Sequence, residues 1–420
     1  MWRAILNAFR IKEIRNRILF TIAIIAVYRF GANITVPGVD ATVITSQVQT
    51  GLLGMVDLFS GGALSKFAVF SLGIMPYITA SIIMQLLQVV IPKLEKLAKE
   101  GETGRKKITQ ISRYLTTGLA AMQSVAMVFY FRNFGAIPKF DAMHIILIIM
   151  TLIAGTVLIM WLGELINLHG IGNGISLIIF ASIVSRLPGE IISLFRLKTI
   201  NILFIIIIFA IFVGVIMGII EMQQGERRIP VQYAKRIVGR KVFGGQSTYI
   251  PLKVNQAGVM PIIFAVSILL FPATIAQFTN VAWLQTLAKQ LSPSASGSIN
   301  PVYVVVYTLF IIFFAYFYGA ITFNPMDTAD NLRRYGGFIP GLRPGKNTAD
   351  YLSHILNRIT LPGAIFLAMI ALLPELLITY ANIPFRFGGT SILIAVSVAL
   401  ETMKQLESQL TMRDYEGFLK

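Results

Sequence analysis

The sequence predicts an all-α membrane protein whose ten transmembrane helices form two inverted five-helix repeats. Three observations predict it: a composition too apolar for a soluble domain, ten apolar runs of spanning length, and paired motifs that recur at a shift of five runs. Of the 420 residues 55% are hydrophobic and 13% charged, with a mean hydropathy of +0.74; a soluble domain needs more polar surface than that. Cysteine is absent, which excludes disulfides, thiolate nucleophiles and Cys-ligated metals. His144, His169 and His354 are dispersed along the chain, so neither a metal site nor a catalytic histidine is expected.

A spanning helix needs roughly 20 mostly apolar residues. The runs at 18–34, 73–91, 108–131, 142–166, 171–194, 200–222, 254–278, 301–323, 359–380 and 387–406 meet this requirement. The first lacks a small-residue cleavage site and is too long for a signal peptide core, so it is expected to stay in the membrane. Arg29, near its end, is expected to snorkel toward the interface. The fourth and fifth runs are separated only by a tight turn around NLHGIGNG. Between the first and second lies DLFSGGALSKFAVFSLGIMP (57–76), apolar yet broken by a Gly-Gly pair, a lysine and a proline. From the residues alone, an amphipathic surface loop and a half-broken segment within the membrane both remain open.

Most of the 36 Lys and Arg fall in the N-terminal stretch, in loops at about 92–107, 224–253 and 324–358, and in the C-terminal tail. The positive-inside rule puts both termini and these loops in the cytoplasm, and it is the first explanation of the +17 net charge. The three loops are longer and more glycine-punctuated than topology requires. Topology alone, or projecting hairpins that dock something acidic or large, would account for them.

The repeat rests on GIMPYI (73–78) in the second run matching GVMPII (258–263) in the seventh, and GISLII (174–179) in the fifth matching GTSILI (389–394) in the tenth. Five crossings are an odd number, so the second copy is inserted upside down, with the working site near the midplane between the copies. Ile78 then pairs with Ile263, and Ile179 with Ile394, each some way inside its helix at 1.5 Å per residue. The central parts of these runs carry almost no charge; Glu164, Glu221 and Glu375 lie toward ends. A secondary transporter of a small solute, the alternative with the same inverted architecture, would place ionisable groups there. The isoleucines are either ordinary packing residues or an apolar constriction that gates by dewetting. RPGKNT (343–348) resembles a phosphate loop but has Pro340 where the first glycine is required, and neither HExxH nor GxSxG occurs. No enzymatic activity is expected.

The stretches FSGGALSKFAVFSLGIMPYITASI, GERRIPVQYAKR, GIGNGIS, PLKVNQAGVMPIIFA, FPATIA, NPMDTADNL, PGLRPGKNTADYL and FGGTSILI closely resemble the bacterial SecY family, pore subunits of the Sec protein-conducting channel, over nearly the whole chain. The resemblance implies a clamshell of residues 1–197 and 198–420 around a central pore, hinged near 194–200. It implies a passive conduit for unfolded polypeptides in the bacterial inner membrane, driven by the SecA motor ATPase or the ribosome and accompanied by the small subunits SecE and SecG. Membrane segments would leave laterally into the phospholipid bilayer. No cofactor is implied.

Residue by residue, the family's pore ring falls on Ile74, Ile78, Ile175, Ile179, Ile263 and Ile394. A re-entrant plug falls on about 58–70 and includes Ser60, Gly61, Gly62, Ala63, Leu64, Ser65 and Lys66. In it Gly61 and Gly62 are expected to reverse the chain, a short helix to run from about 64 to 70, and Lys66 to stay hydrated. Pro76 is expected in the first turns of the next helix. The lateral gate, between the second run and the seventh and eighth, takes Thr79, Gln85, Asn255 and Phe271; a polar pair across it would stabilise closure only modestly. Motor or ribosome docking takes Lys235, Arg236, Arg240, Arg333, Arg334 and, most specifically, Arg343.

Overall fold

The computed structural model describes residues 9, 11–48, 52–138, 141–189, 192, 202–233, 236–238, 241–243, 247–276, 282–291, 300–381 and 389–418. The expected hinge at 194–200, Lys235 and Arg240 lie outside the described residues, and the side chains of Arg236 and Phe271 are not described.

The first half contains α1 (Lys12–Gly31), α2 (Ala41–Val48), α3 (Leu52–Ser60), α4 (Met75–Val90), α5 (Pro92–Lys99), α6 (Glu102–Arg132), α7 (Ala142–His169) and α8 (Gly174–Val184). The second opens with α9 (Ile202–Gln224), followed by β1 (Glu226–Tyr233), β2 (Arg236–Val238), β3 (Lys241–Phe243) and β4 (Ser247–Lys253). Then come α10 (Met260–Ala276), α11 (Ala282–Gln290), α12 (Pro301–Thr322), α13 (Pro325–Arg334), β5 (Gly337–Phe338), α14 (Lys346–Ala381) and α15 (Gly389–Phe418). A helix thus occupies each of the ten predicted runs. Among the described residues, Glu102–Arg132, Ala142–His169, Pro301–Arg334 and Lys346–Leu373 are each long and apolar enough to cross a bilayer alone.

The loops depart from expectation. Residues 92–107 form no open loop: Pro92 stops α4 and starts α5, which turns away by 101°, because the residue before a proline is pushed out of the helical region while proline itself suits a first helical turn. The 324–358 loop is largely helical. Asn324 caps α13 by accepting the N–H groups of Met326 (3.0 Å) and Asp327 (3.4 Å), with Pro325 just inside. α14 begins at Lys346, well before its apolar stretch.

The 224–253 loop forms a hairpin, the second of the two readings its sequence left open. β1 pairs antiparallel with β4 in the register Ile229↔Ile250, and β5 adds to the far side of β1, giving the order β4-β1-β5. Ile229, Val231, Leu252, Ile339 and Leu352 bury a small core beneath this sheet, so the two basic loops form one body.

Residues 61–74 hold no helix, contrary to the expectation for 64–70; the helix is α3, ahead of the Gly-Gly pair. Gly61 and Gly62 do reverse the chain, at φ 67° and 86°. Beyond them Val36 N–H donates to the Phe67 carbonyl and Val69 N–H to the Ile34 carbonyl, both at 2.9 Å. Ala63, Leu64, Phe67, Ala68 and Phe70 are all buried. A one-faced helix could not bury them all, so turns and a short strand-like pairing take its place. Pro76 lies in the first turn of α4, as expected.

Helix α7 makes room for this segment at Gly155, where a Cβ would strike the Val69 carbonyl. Gly155→Val is therefore expected to destabilise the protein by about 1–3 kcal/mol through overpacking. Thermal melting in detergent checks this, and an unchanged midpoint would contradict the close approach.

Candidate functional site

Helix α8 traverses three environments in succession. At its start, Asn173 and Ser176 line a polar cavity of about 640 Å³. Ile175 and Ile179 share one face, four residues apart, Ile175 level with the cavity residues and Ile179 beyond them. Ser182 and, just past the helix, Arg186 then meet the 57–65 segment. From Ser176 to Ser182 is roughly 9 Å at 1.5 Å per residue, so an apolar layer about that thick separates the cavity from the segment.

Four other candidate isoleucines share the apolar cluster that holds Ile179. Ile74, Ile78, Ile179, Ile263 and Ile394 are buried in one cluster, and Ile175 is partly buried against it, beside Gly163 of α7. Ala63, Ala68 and Phe70 of the 61–74 segment join that cluster. Helices α8 and α15 pack together and pass through the layer in opposite senses: α8 leaves the cavity at Ser176, whereas α15 enters it at Ser397, Glu401 and Lys404 after Ile394. The pair α4 and α10 behaves likewise. They pack together; α4 starts at the 61–74 segment, α10 at the cavity residues Gly258, Val259 and Met260. Arg113 of α6 and Glu164 of α7 form a bidentate pair, Nε and Nη2 donating at 2.8 and 2.7 Å.

The 57–74 segment is held from several sides. Tyr28 of α1 faces α8, its hydroxyl 2.6 Å from Ser182 Oγ and donating to the Ser60 carbonyl at 3.1 Å, while its ring stacks on Phe70. Arg29 is half-buried near the end of α1. Its Nη1 donates to the Gly61 carbonyl at 3.0 Å, because a chain reversal leaves that carbonyl without a backbone partner. Asp57 pairs with Arg186 at 2.8 Å. Lys66 is exposed, as expected, and donates to Asn33 Oδ1 at 2.6 Å. Tyr28, Asp57, Ser182 and Arg186 were not singled out by the sequence reading. The only signal for Asp57 was a lone acid in an apolar stretch; none pointed to its partner.

The gate candidates have local hydrogen bonds. Thr79 Oγ1 donates to the Met75 carbonyl (3.0 Å), Gln85 Nε2 to Ser81 Oγ (3.3 Å) and Asn255 Nδ2 to the Gly258 carbonyl (3.0 Å). Among the described residues no polar pair joins Thr79 or Gln85 of α4 to Asn255 ahead of α10, so apolar packing holds α4 on α10. Phe271 lies within α10, and Asn255 lines the cavity.

On the basic body, Arg333 and Arg334 are exposed in the last turn of α13. Arg343 is exposed in the turn before α14, with its carbonyl fixed by Thr348 Oγ1 at 3.0 Å. Arg228 of β1 lies over the Tyr249 ring, 4.9 Å from its centroid, and its hydrogen bond to Glu226 raises its pKa further above the ordinary value.

The SecY family profile matches residues 68–403. The protein translocase subunit SecY of Streptomyces galbus is 49% identical over 441 residues, covering 100% of both chains. A solved structure of a SecY protein, whose plug domain stabilises the closed state of the translocation channel and maintains a membrane seal, aligns with a TM-score of 0.63 at 20% identity over 94% of this chain and 92% of that one. An idle yeast Ssh1 complex bound to the yeast 80S ribosome aligns at 0.66 and 15%, over 93% and 89%. At these identities the two structures share the fold.

Proposed function

This chain belongs to the SecY family, and from that premise we propose that it is the pore of a bacterial inner-membrane translocon with both termini in the cytoplasm. It passes unfolded secretory polypeptides and releases membrane segments sideways into the phospholipid bilayer. The SecA motor or the ribosome supplies the driving force, and SecE and SecG accompany it. The observation that carries this reading is the uncharged layer between a polar cavity and a seated segment. The cavity is the cytoplasmic entrance, Ile74, Ile78, Ile175, Ile179, Ile263 and Ile394 are the ring, and Ser60, Gly61, Gly62, Ala63, Leu64, Ser65 and Lys66 belong to the plug. An apolar ring excludes water and ions but has no charge with which to select a substrate. β-branched side chains are stiff at χ1, so they form a defined gasket around an extended chain. The same charge-free layer speaks against a small-solute transporter.

Residues 1–197 and 198–420 act as the two halves of the clamshell, hinged near 194–200. The opposite-sense pairs α4/α10 and α8/α15 support an inverted relation between them. Lateral release runs between α4 on one side and α10 and α12 on the other, past Thr79, Gln85, Asn255 and Phe271. Burying a signal segment in lipid contributes about 0.8 kcal/mol per CH₂, so a hydrophobic segment can separate a pair of helices that apolar packing alone holds. Lys235, Arg236, Arg240, Arg333, Arg334 and Arg343 form the docking face for the motor or for polyanionic ribosomal RNA.

Replacing Ile78 and Ile263 together with Asn should let substrates with defective signal sequences through, an increase of about tenfold or more in their export; unaltered rejection of such substrates would contradict the ring. Arg343→Glu should cut SecA-driven export several-fold while the protein still inserts and assembles, and undiminished motor-driven export would refute the docking role.

A further inference from the structure

We propose that Asp57 and Arg186 form a charge latch that sets how firmly the plug is seated, and hence how readily a substrate opens the pore; the inference rests on the channel reading above. The Asp57 side chain, in α3, is only 3% exposed. Its Oδ2 is 2.8 Å from Arg186 Nη1. Its Oδ1 accepts the Ser65 N–H at 2.9 Å and the Ser60 hydroxyl at 3.4 Å, while its backbone carbonyl accepts the Gly62 N–H at 3.0 Å. One residue therefore shapes the chain reversal and ties it to the end of α8, on which α3 packs. The other anchors of the plug, Tyr28 on Ser60 and Arg29 on Gly61, reach backbone carbonyls; among the described residues, this contact alone joins opposite charges across the seat.

The partners are unequal. Arg186 keeps 26% of its side-chain surface exposed and can hydrate when released. Asp57 cannot be hydrated in place; it must leave its seat to reach water. Removing the arginine leaves an uncompensated buried carboxylate, which costs more than removing both charges together. The seat also closes against strain: Phe67 sits at φ 44°, in the left-handed region that bulky residues avoid. A plug held by an ion pair against local strain is released when that pair is broken.

The test is the resting ion conductance of the purified channel, with its small subunits, in planar bilayers. Arg186→Met should raise the leak about tenfold. Asp57→Asn keeps an acceptor for the Ser65 N–H and should raise it only about two- to threefold. The double variant should fall back near the Asp57→Asn value, and Arg186→Lys should leak less than Arg186→Met. An Arg186→Met channel as tight as the unaltered one, or a double variant whose leak is the product of the singles, overturns the latch. If Arg186→Met fails to fold, a folded double variant that leaks near the Asp57→Asn value supports the latch, and failure of both overturns it. Deleting residues 60–66 separates the two claims: if that deletion does not leak, the channel reading itself fails and the latch with it, whereas a leaking deletion beside a tight Arg186→Met variant removes the latch alone.

Discussion

Aliphatic side chains without a charge among them, in a layer roughly 9 Å thick along α8, impose the constraint that organises this molecule. Water and ions avoid such a layer because no polar group repays their lost hydration, whereas an extended polypeptide can wedge it open. In the proposed channel the seal therefore comes from bulk, and it must be made where several helices converge. The four helices that supply it do so close to their first turns, with Ile78 in α4, Ile179 in α8, Ile263 in α10 and Ile394 in α15. That is the arrangement expected if two copies of one unit meet head to tail at the midplane.

A layer held by bulk alone is soft, and the 57–74 segment backs it. Irregular backbone at membrane depth is tolerated only where the protein meets its hydrogen-bonding needs. Here the strand-like pairing with residues 34–36, the Tyr28 hydroxyl, the Arg29 guanidinium and the Asp57 carboxylate meet them. Every one of these contacts lies on the side of the layer away from the polar cavity.

Features governed by local chemistry were legible in the sequence. Runs of spanning length became helices, Gly61 and Gly62 reversed the chain, Pro76 took the first turn of α4, and the 224–253 loop became a hairpin. The repeat read from GIMPYI/GVMPII and GISLII/GTSILI named two helix pairs, and these pairs pack against each other as α4 on α10 and α8 on α15. What was not legible depended on partners distant in the chain. Residues 64–70 look helical by composition, but Leu64 and Phe67 pack into one buried cluster and Ala68 and Phe70 into another, with Lys66 exposed between them, which favoured turns. Nothing in the sequence shows that the Gly61 carbonyl lies beside Arg29. The Asp57–Arg186 pair and the addition of β5 to β1 likewise depend on tertiary placement, which neither periodicity nor spacing encodes.

The account is tested most directly by the path of a substrate in transit. The native chain has no cysteine, so a single Ile179→Cys can be paired with a cysteine in a stalled secretory polypeptide. Disulfide formation at Ile179→Cys, and none at Met150→Cys on the exposed face of α7, is the result the account predicts. No crosslink at Ile179→Cys, or equal crosslinking at both positions, would contradict a polypeptide path through the apolar layer.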